Sequence, residues 1–164
     1  MTIRPCGAHD VPAMFSVIND AARAYQGVIP ADCWHEPYMP LDELEAEIGG
    51  GVVFWGCESG GELVGVMGVQ DRGDVTLIRH AYVRTGQRRK GIGEKLLKHL
   101  EAITTKPILI GTWKAATWAV RFYEKNSYRL LSRRESDRLL RTYWSIPERQ
   151  IETSVVLADA RWKP

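Results

Sequence analysis

The stretch 86–100, GQRRKGIGEKLLKHL, sets Arg88, Arg89 and Lys90 directly before Gly91 and Gly93 and then runs into evenly spaced leucines. That spacing predicts a helix starting near Gly91. The first turn of a helix carries backbone N–H groups with no intrahelical partner, and the aligned peptide dipoles add partial positive charge there. Anions, phosphate in particular, bind at such an end. A glycine lets a phosphate reach the backbone without a Cβ in the way, and three cations beside it add attraction. A pyrophosphate is the ligand this arrangement suits. The spacing is neither that of a Walker loop, which needs GxxxxGK[ST], nor that of the GxGxxG dinucleotide fingerprint. As a bare motif, RxxGxG is equally the start of a solvated, basic helix whose glycines serve packing.

The elements around the loop follow from hydrophobic period. TIRPC reads as a first strand, and HDVPAMFSVINDAARAY as a helix with Asp10 as N-cap and Pro12 in the first turn. The irregular QGVIPADCWHEPYMP comes next, and then LDELEAEIGG, a short acidic helix closed by glycines. VVFWGCE and ELVGVMGVQ are strands joined by SGG, a hairpin signal, and DVTLIRHAYV is a third strand leading into the loop. Beyond Gly91, Ile92, Leu96, Leu97, Leu100 and Ile103 make one helical stripe. PILIGTW, KAATWAVRFYEKN and SYRLLS read as strand, helix and strand. A basic segment, RRESDRLLRTYWSIPERQ, precedes a last strand, IETSVVLAD. The sum is a mixed α/β (α+β) fold in one domain, 1–164.

Composition bounds the function. With 164 residues, 45% hydrophobic and 26% charged, the chain can bury a core without disulfides or metal. A net charge of +2 gives no case for nucleic acid, and no nucleic-acid-binding motif is present. Cys6, Cys33 and Cys57 are odd in number and lack a CxxC, which argues against a disulfide framework or a cysteine-held zinc and reads as buried, inert thiols. MTIRPCGAHD has no apolar h-region, and no apolar run is long enough to span a bilayer. A cytoplasmic protein with no membrane partner is the expectation.

With these elements in place, the chain resembles the GNAT superfamily of acetyl-CoA-dependent N-acetyltransferases. Two runs carry the resemblance, YVRTGQRRKGIGEKLL and, about thirty residues on, AVRFYEKNSYR. The resemblance implies a central mixed, mostly antiparallel sheet of about seven strands with helices on both faces. It implies that Arg88, Arg89, Lys90, Gly91, Ile92, Gly93 and Glu94 hold the coenzyme A pyrophosphate. Ala81, Tyr82 and Val83 pair their backbone with the pantetheine arm, as an added strand would. The resemblance also implies that Tyr123 protonates the departing thiolate. Amine attack on a thioester develops charge on oxygen and then on sulfur, and a phenol in hydrogen-bond reach stabilises the latter. The plainer role for Tyr123 is a core aromatic beside Trp118 and Phe122.

The amine must also lose a proton. His80, interrupting an apolar strand, has suitable chemistry for a base, though a lone strand histidine more often serves structure; Glu58 is a weaker candidate. Two positions depart from the family pattern. Ala116 stands where an asparagine often contacts the pantetheine arm. Ser127 replaces a glycine, so that Asn126 is expected to take the positive-φ conformation. Tyr25, Trp34 and Tyr38, with His35 and Met39, are expected to border the acceptor, or else to cap the core. The arginines of 133–150 point to an anionic acceptor or a lid, or to a solvated helix. Acetyl-CoA is the implied cosubstrate, a small-molecule or peptide amine the partner, and no metal is implied. Exposed aromatics near the C-terminus leave room for a homodimer. A non-catalytic acyl-CoA-binding or sensing domain of the same fold is the alternative.

Overall fold

The computed structural model describes residues 1–164. Seven strands are present: β1 (Thr2–Pro5), β2 (Val53–Ser59), β3 (Glu62–Asp71), β4 (Thr76–Val83), β5 (Ile108–Trp113), β6 (Arg129–Leu130) and β7 (Ser154–Ala158). Six helices accompany them: α1 (Val11–Ala22), α2 (Leu41–Gly49), α3 (Ile92–Ile103), α4 (Thr117–Lys125), α5 (Arg133–Tyr143) and α6 (Glu148–Glu152). The fold is mixed α/β with a seven-stranded, mostly antiparallel sheet, as expected. The chain divides into two compact units: Met1–Ala24, His35–Asp71 and Ile78–Thr105 form one, and Tyr25–Trp34, Arg72–Leu77 and Lys106–Pro164 the other.

In the first unit β1, β2, β3 and β4 are successive neighbours. β1 pairs antiparallel with β2, from Thr2 opposite Glu58 to Pro5 opposite Trp55. The β2–β3 hairpin turns on Gly60 and Gly61 at φ 59° and 81°, the double left-handed turn that matches strand twist and that glycine alone enters freely. Met14, Val17 and Ile18 of α1 recur at helical spacing and pack with Leu44 of α2 on Phe54, Leu63 and Val66. Each such burial is worth about 1.5–3 kcal/mol. α3 buries Ile92, Leu96, Leu97 and Leu100, the stripe read from the sequence without Ile103, which is half exposed. Gly65 of β3 lets the start of α3 approach: a Cβ there would lie 2.8 Å from Ile92 Cγ2.

Asp10 occupies the N-cap position of α1, but its carboxylate caps nothing in that helix. It accepts from Arg4 Nη1 and Nη2, both at 2.9 Å, and from the Gly7 N–H at 2.8 Å. The guanidinium two oxygens wide outcompetes a single amide. Of the three thiols only Cys57 is buried; Cys6 and Cys33 are half-buried.

In the second unit β7 lies between β5 and β6, antiparallel to both. Leu139 and Leu140 of α5, Ile151 of α6, and Leu109 and Val156 of the strands form its core. SYRLLS contributes only the two residues of β6, and the last strand starts at Ser154 rather than Ile151. Pro147 opens a helical turn that turns Ile151 into the core, so the residues read as strand become α6. The positive φ falls on Ser127, at 72°, and not on Asn126, at −98°. Asn126 is buried and uses its amide to donate to Phe122 C=O at 2.8 Å, which holds it in the ending turn and passes the reversal to the next residue.

Candidate functional site

The expected anion loop lies in the first unit, where β4 ends at Val83 and a short 3-10 turn, Thr85–Gln87, leads to the basic residues and α3. Gly91 is the N-cap of α3 at φ 75°, ψ 14°, in the left-handed region. A residue with a Cβ would spend about 1–2 kcal/mol to stand there. A Cβ at Gly91 would meet nothing within 4 Å, so the backbone is open on that side. No side chain caps the helix, and Lys95 N–H to Gly91 C=O, 3.0 Å, is the bond that closes its first turn. The amides of Ile92, Gly93 and Glu94 are the donors that helix geometry leaves over. Lys90 Nζ donates to Gln87 Oε1 at 3.0 Å and Arg88 Nη2 to Ala21 C=O at 3.4 Å. Both acceptors are neutral, so neither cation loses its charge to its partner. Donors, open glycine and charge together fit a pyrophosphate.

The loop is tied to α1 by contacts that no local sequence signal announces. Thr85 N–H donates to Asp20 Oδ2 at 2.8 Å. Arg84 donates from Nε to Leu63 C=O and from Nη1 to Ser16 Oγ, both at 3.1 Å. Their partners stand more than sixty positions away, or on another strand, beyond the reach of any local pattern.

Ala81, Tyr82 and Val83, half-buried, form the end of β4 immediately before the loop, and Tyr82 also packs on the first unit's core. In the two residues just before them, His80 Nε2 lies 3.1 Å and Arg79 Nη1 2.9 Å from the same oxygen, Glu47 Oε2. The His80 hydrogen bond, then the Arg79 charge, hold the Glu47 carboxyl below its ordinary value despite its burial. Glu58 is paired with Arg4, whose Nε reaches its Oε2 at 3.1 Å.

Tyr123 is in the second unit, on α4, 6% exposed. Its ring meets Phe122 and Tyr128 edge-on, with centroids at 5.1 and 6.0 Å. Burial first, and Tyr25 second, push its phenol well above the ordinary tyrosine range. At neutral pH the group therefore rests as the neutral phenol, with its O–H available to donate. Ala116 is the N-cap of α4, fully buried, and gives the helix no side-chain cap.

The aromatics expected at the acceptor part company. Tyr25 and Trp34 belong to the second unit, Tyr38 to the first. Tyr25 stacks on Trp118 at 6.0 Å. Tyr38 packs on the first core and stacks with His35 at 6.4 Å, and buried Met39 is clamped by Asn19 through its N–H and C=O at 2.8 and 3.0 Å. That portion of the loop caps the core. The arginine segment is α5 and α6, and four of its five arginines are engaged. Arg133 donates to Ser154 and Ile151 carbonyls. Arg138 pairs with Glu135, Arg141 with Glu148, and Arg149 with Asp32. Such pairing is that of a folded, solvated face.

A family model described as the acetyltransferase (GNAT) domain matches residues 19–142. No curated protein matches the chain in sequence. Among solved structures, the PaiA N-acetyltransferase of Thermoplasma acidophilum, in complex with coenzyme A, is similar at TM-score 0.71 and 16% identity, over 97% of this chain and 99% of that one. A GNAT family acetyltransferase of Elizabethkingia anophelis with acetyl-CoA bound is similar at 0.66 and 21% identity, over 96% of both. The ribosomal-protein-S18-alanine N-acetyltransferase of Escherichia coli is similar at 0.67 and 15%, over 99% and 95%. At these identities the likeness is one of fold. No helix is long and apolar enough to cross a membrane.

Proposed function

The chain belongs to the GNAT acetyltransferase family, and from that premise we propose that it moves the acetyl group of acetyl-CoA onto a primary amine by direct attack in a ternary complex. The observation that carries the reading is the start of α3, where a left-handed glycine, open amides and unneutralised cations suit a pyrophosphate. The residues Arg88–Glu94 hold that group, and the backbone of Ala81–Val83 pairs with the arm that leads from it. Tyr123, kept protonated by burial, donates to the sulfur as the C–S bond breaks. His80 takes the proton that the amine must lose. The coenzyme-loop, strand and Tyr123 roles come by position from the family, and that of His80 from its place in β4; the open start of α3 supports the first.

The test is thiol release from acetyl-CoA across a panel of primary amines: an arylalkylamine, a polyamine, an aminoglycoside, a peptide N-terminus and a lysine peptide. The peptide N-terminus is included because a structure of similar fold acts on a ribosomal-protein alanine. Turnover with one amine, lowered about a hundredfold by Tyr123→Phe, is the expected result. Acetyl-CoA binding with no thiol release from any amine would replace this reading with that of a sensing domain.

A further inference from the structure

We propose that Glu47 is the positioning residue of the proton-accepting step: it grips His80 by Nε2 and so leaves the lone pair of Nδ1 to take the proton of the acceptor amine. This rests on the acyltransferase reading above. The starting point is a backbone anomaly. Successive side chains of a strand point to opposite faces, yet Arg79 and His80 both reach Glu47 Oε2, at 2.9 and 3.1 Å. They do so because His80 sits at φ 55° within β4. A non-glycine residue pays roughly 1–2 kcal/mol for that conformation, and such outliers persist where the surroundings over-determine them.

Here the surroundings do. The side chains of Arg79, His80 and Glu47 are only 13%, 14% and 21% exposed. Phe54 stacks on the His80 ring at 6.0 Å. Arg79 Nη1 also reaches Gln70 Oε1 at 3.4 Å, and Gln70 Nε2 donates to Gly50 C=O just beyond α2 at 3.2 Å. Gly68, on the neighbouring strand, leaves the room: a Cβ there would stand 2.9 Å from Arg79 O and 2.7 Å from Val52 Cγ1. A buried ion pair alone does not explain this construction, since apolar side chains of equal volume generally stabilise a site as well or better.

The chemistry follows from the shared oxygen. An ionised carboxylate only accepts, so His80 donates to it from Nε2–H, and the neutral ring then has its lone pair on Nδ1. The His80 hydrogen bond and then the Arg79 charge favour the ionised Glu47, so the carboxylate orients the ring and does not itself take the proton. Glu43, one turn earlier on α2, is the further carboxyl in electrostatic reach of Glu47 and His80, and it also feels His35 and Asp42. As the amine nitrogen bonds the acetyl carbon and the C–S bond breaks, one amine proton passes to His80 Nδ1 and the sulfur takes the phenol proton of Tyr123. Amine and acetyl-CoA become acetamide and free thiol, with both side chains restored through solvent.

The experiment is ¹⁵N NMR of the imidazoles of the full chain, with His80→Gln assigning the signal, together with kinetics of Glu47→Met and Glu47→Asp on whichever amine of the panel turns over fastest. The expected results are an Nε2–H tautomer in the wild type and a tautomer mixture in Glu47→Met. That variant should lose at least about tenfold in kcat, keep its KM for acetyl-CoA, and be partly rescued by Asp. An Nδ1–H tautomer in the wild type, or an unchanged kcat in folded Glu47→Met, would overturn the proposal. The tautomer of the wild type decides even if the variants fail to fold. Failure of the acyltransferase reading looks different, as wild-type protein that releases no thiol.

Discussion

Asp20, in the last turn of α1, accepts the backbone N–H of Thr85 at 2.8 Å and so fixes the first residue of the turn that leads to the basic loop. A helix packed in the core thereby holds the entrance of α3, whose amides are assigned to the pyrophosphate. Asp20→Ala frees that amide without touching the anion's donors. A hydrogen bond to a charged group is worth about 1.5–3 kcal/mol. Acetyl-CoA binding is expected to weaken by about tenfold, with kcat unchanged once the enzyme is saturated. Unaltered affinity in a folded variant would show that the loop needs no tether.

Ser127 stands at φ 72°, is exposed, and has no side-chain role that offsets the strain. Ser127→Gly relieves about 1–2 kcal/mol of left-handed cost and gives back part of it as unfolded-chain entropy. The net expectation is a gain of about 0.5–1 kcal/mol, or a melting temperature about 2 °C higher. A lower melting temperature would contradict it.

The reading of the sequence succeeded where signals are local. The period of Ile92 to Leu100 and the Gly60–Gly61 turn each depend on residues a few positions apart, and both stand as expected. It failed where a distant or competing partner decides. Asp10 has the chemistry of a cap but finds Arg4. Ser127 takes the reversal because Asn126 is held by Phe122. The arginines of α5 concealed that Ser136, Leu139 and Leu140 face the core. His80 was visible as a candidate, but Glu47 lies thirty-three residues away on an acidic helix, and no pattern joins them.

The Arg4–Asp10 pair sets an acid limit on stability. The Arg4 hydrogen bonds hold the Asp10 carboxyl at about 2, below its unfolded value of 3.8, and the carboxylate is 7% exposed. A depressed carboxyl stabilises the fold above its unfolded value and loses that contribution as pH falls toward its folded one. Stability is expected to drop by on the order of 1–2 kcal/mol between about pH 4 and pH 2. Denaturant titrations of wild type and Asp10→Asn across that range check it; equal slopes for both would contradict it.

Gly68→Ala probes the anomaly in β4 from the neighbouring strand. The added Cβ meets Arg79 O at 2.9 Å, a backbone atom that cannot rotate away. A loss of about 1–3 kcal/mol in stability is expected, with a fall in turnover as the His80 backbone shifts. A variant as stable and as active as wild type would mean that β4 relaxes freely there.

The central claim is that the amides at the start of α3 bind the pyrophosphate, and calorimetric titration with acetyl-CoA tests it most directly. Wild type, Gly91→Ala and Gly91→Glu are compared, because both variants bear the same left-handed strain at φ 75° and only Glu adds an anion in the open space before the amides. The account expects binding by wild type, modest weakening in Gly91→Ala, and at least a further tenfold loss, about 1.4 kcal/mol, in Gly91→Glu. Absence of binding by the wild type, or equal affinity in the two variants, would contradict it.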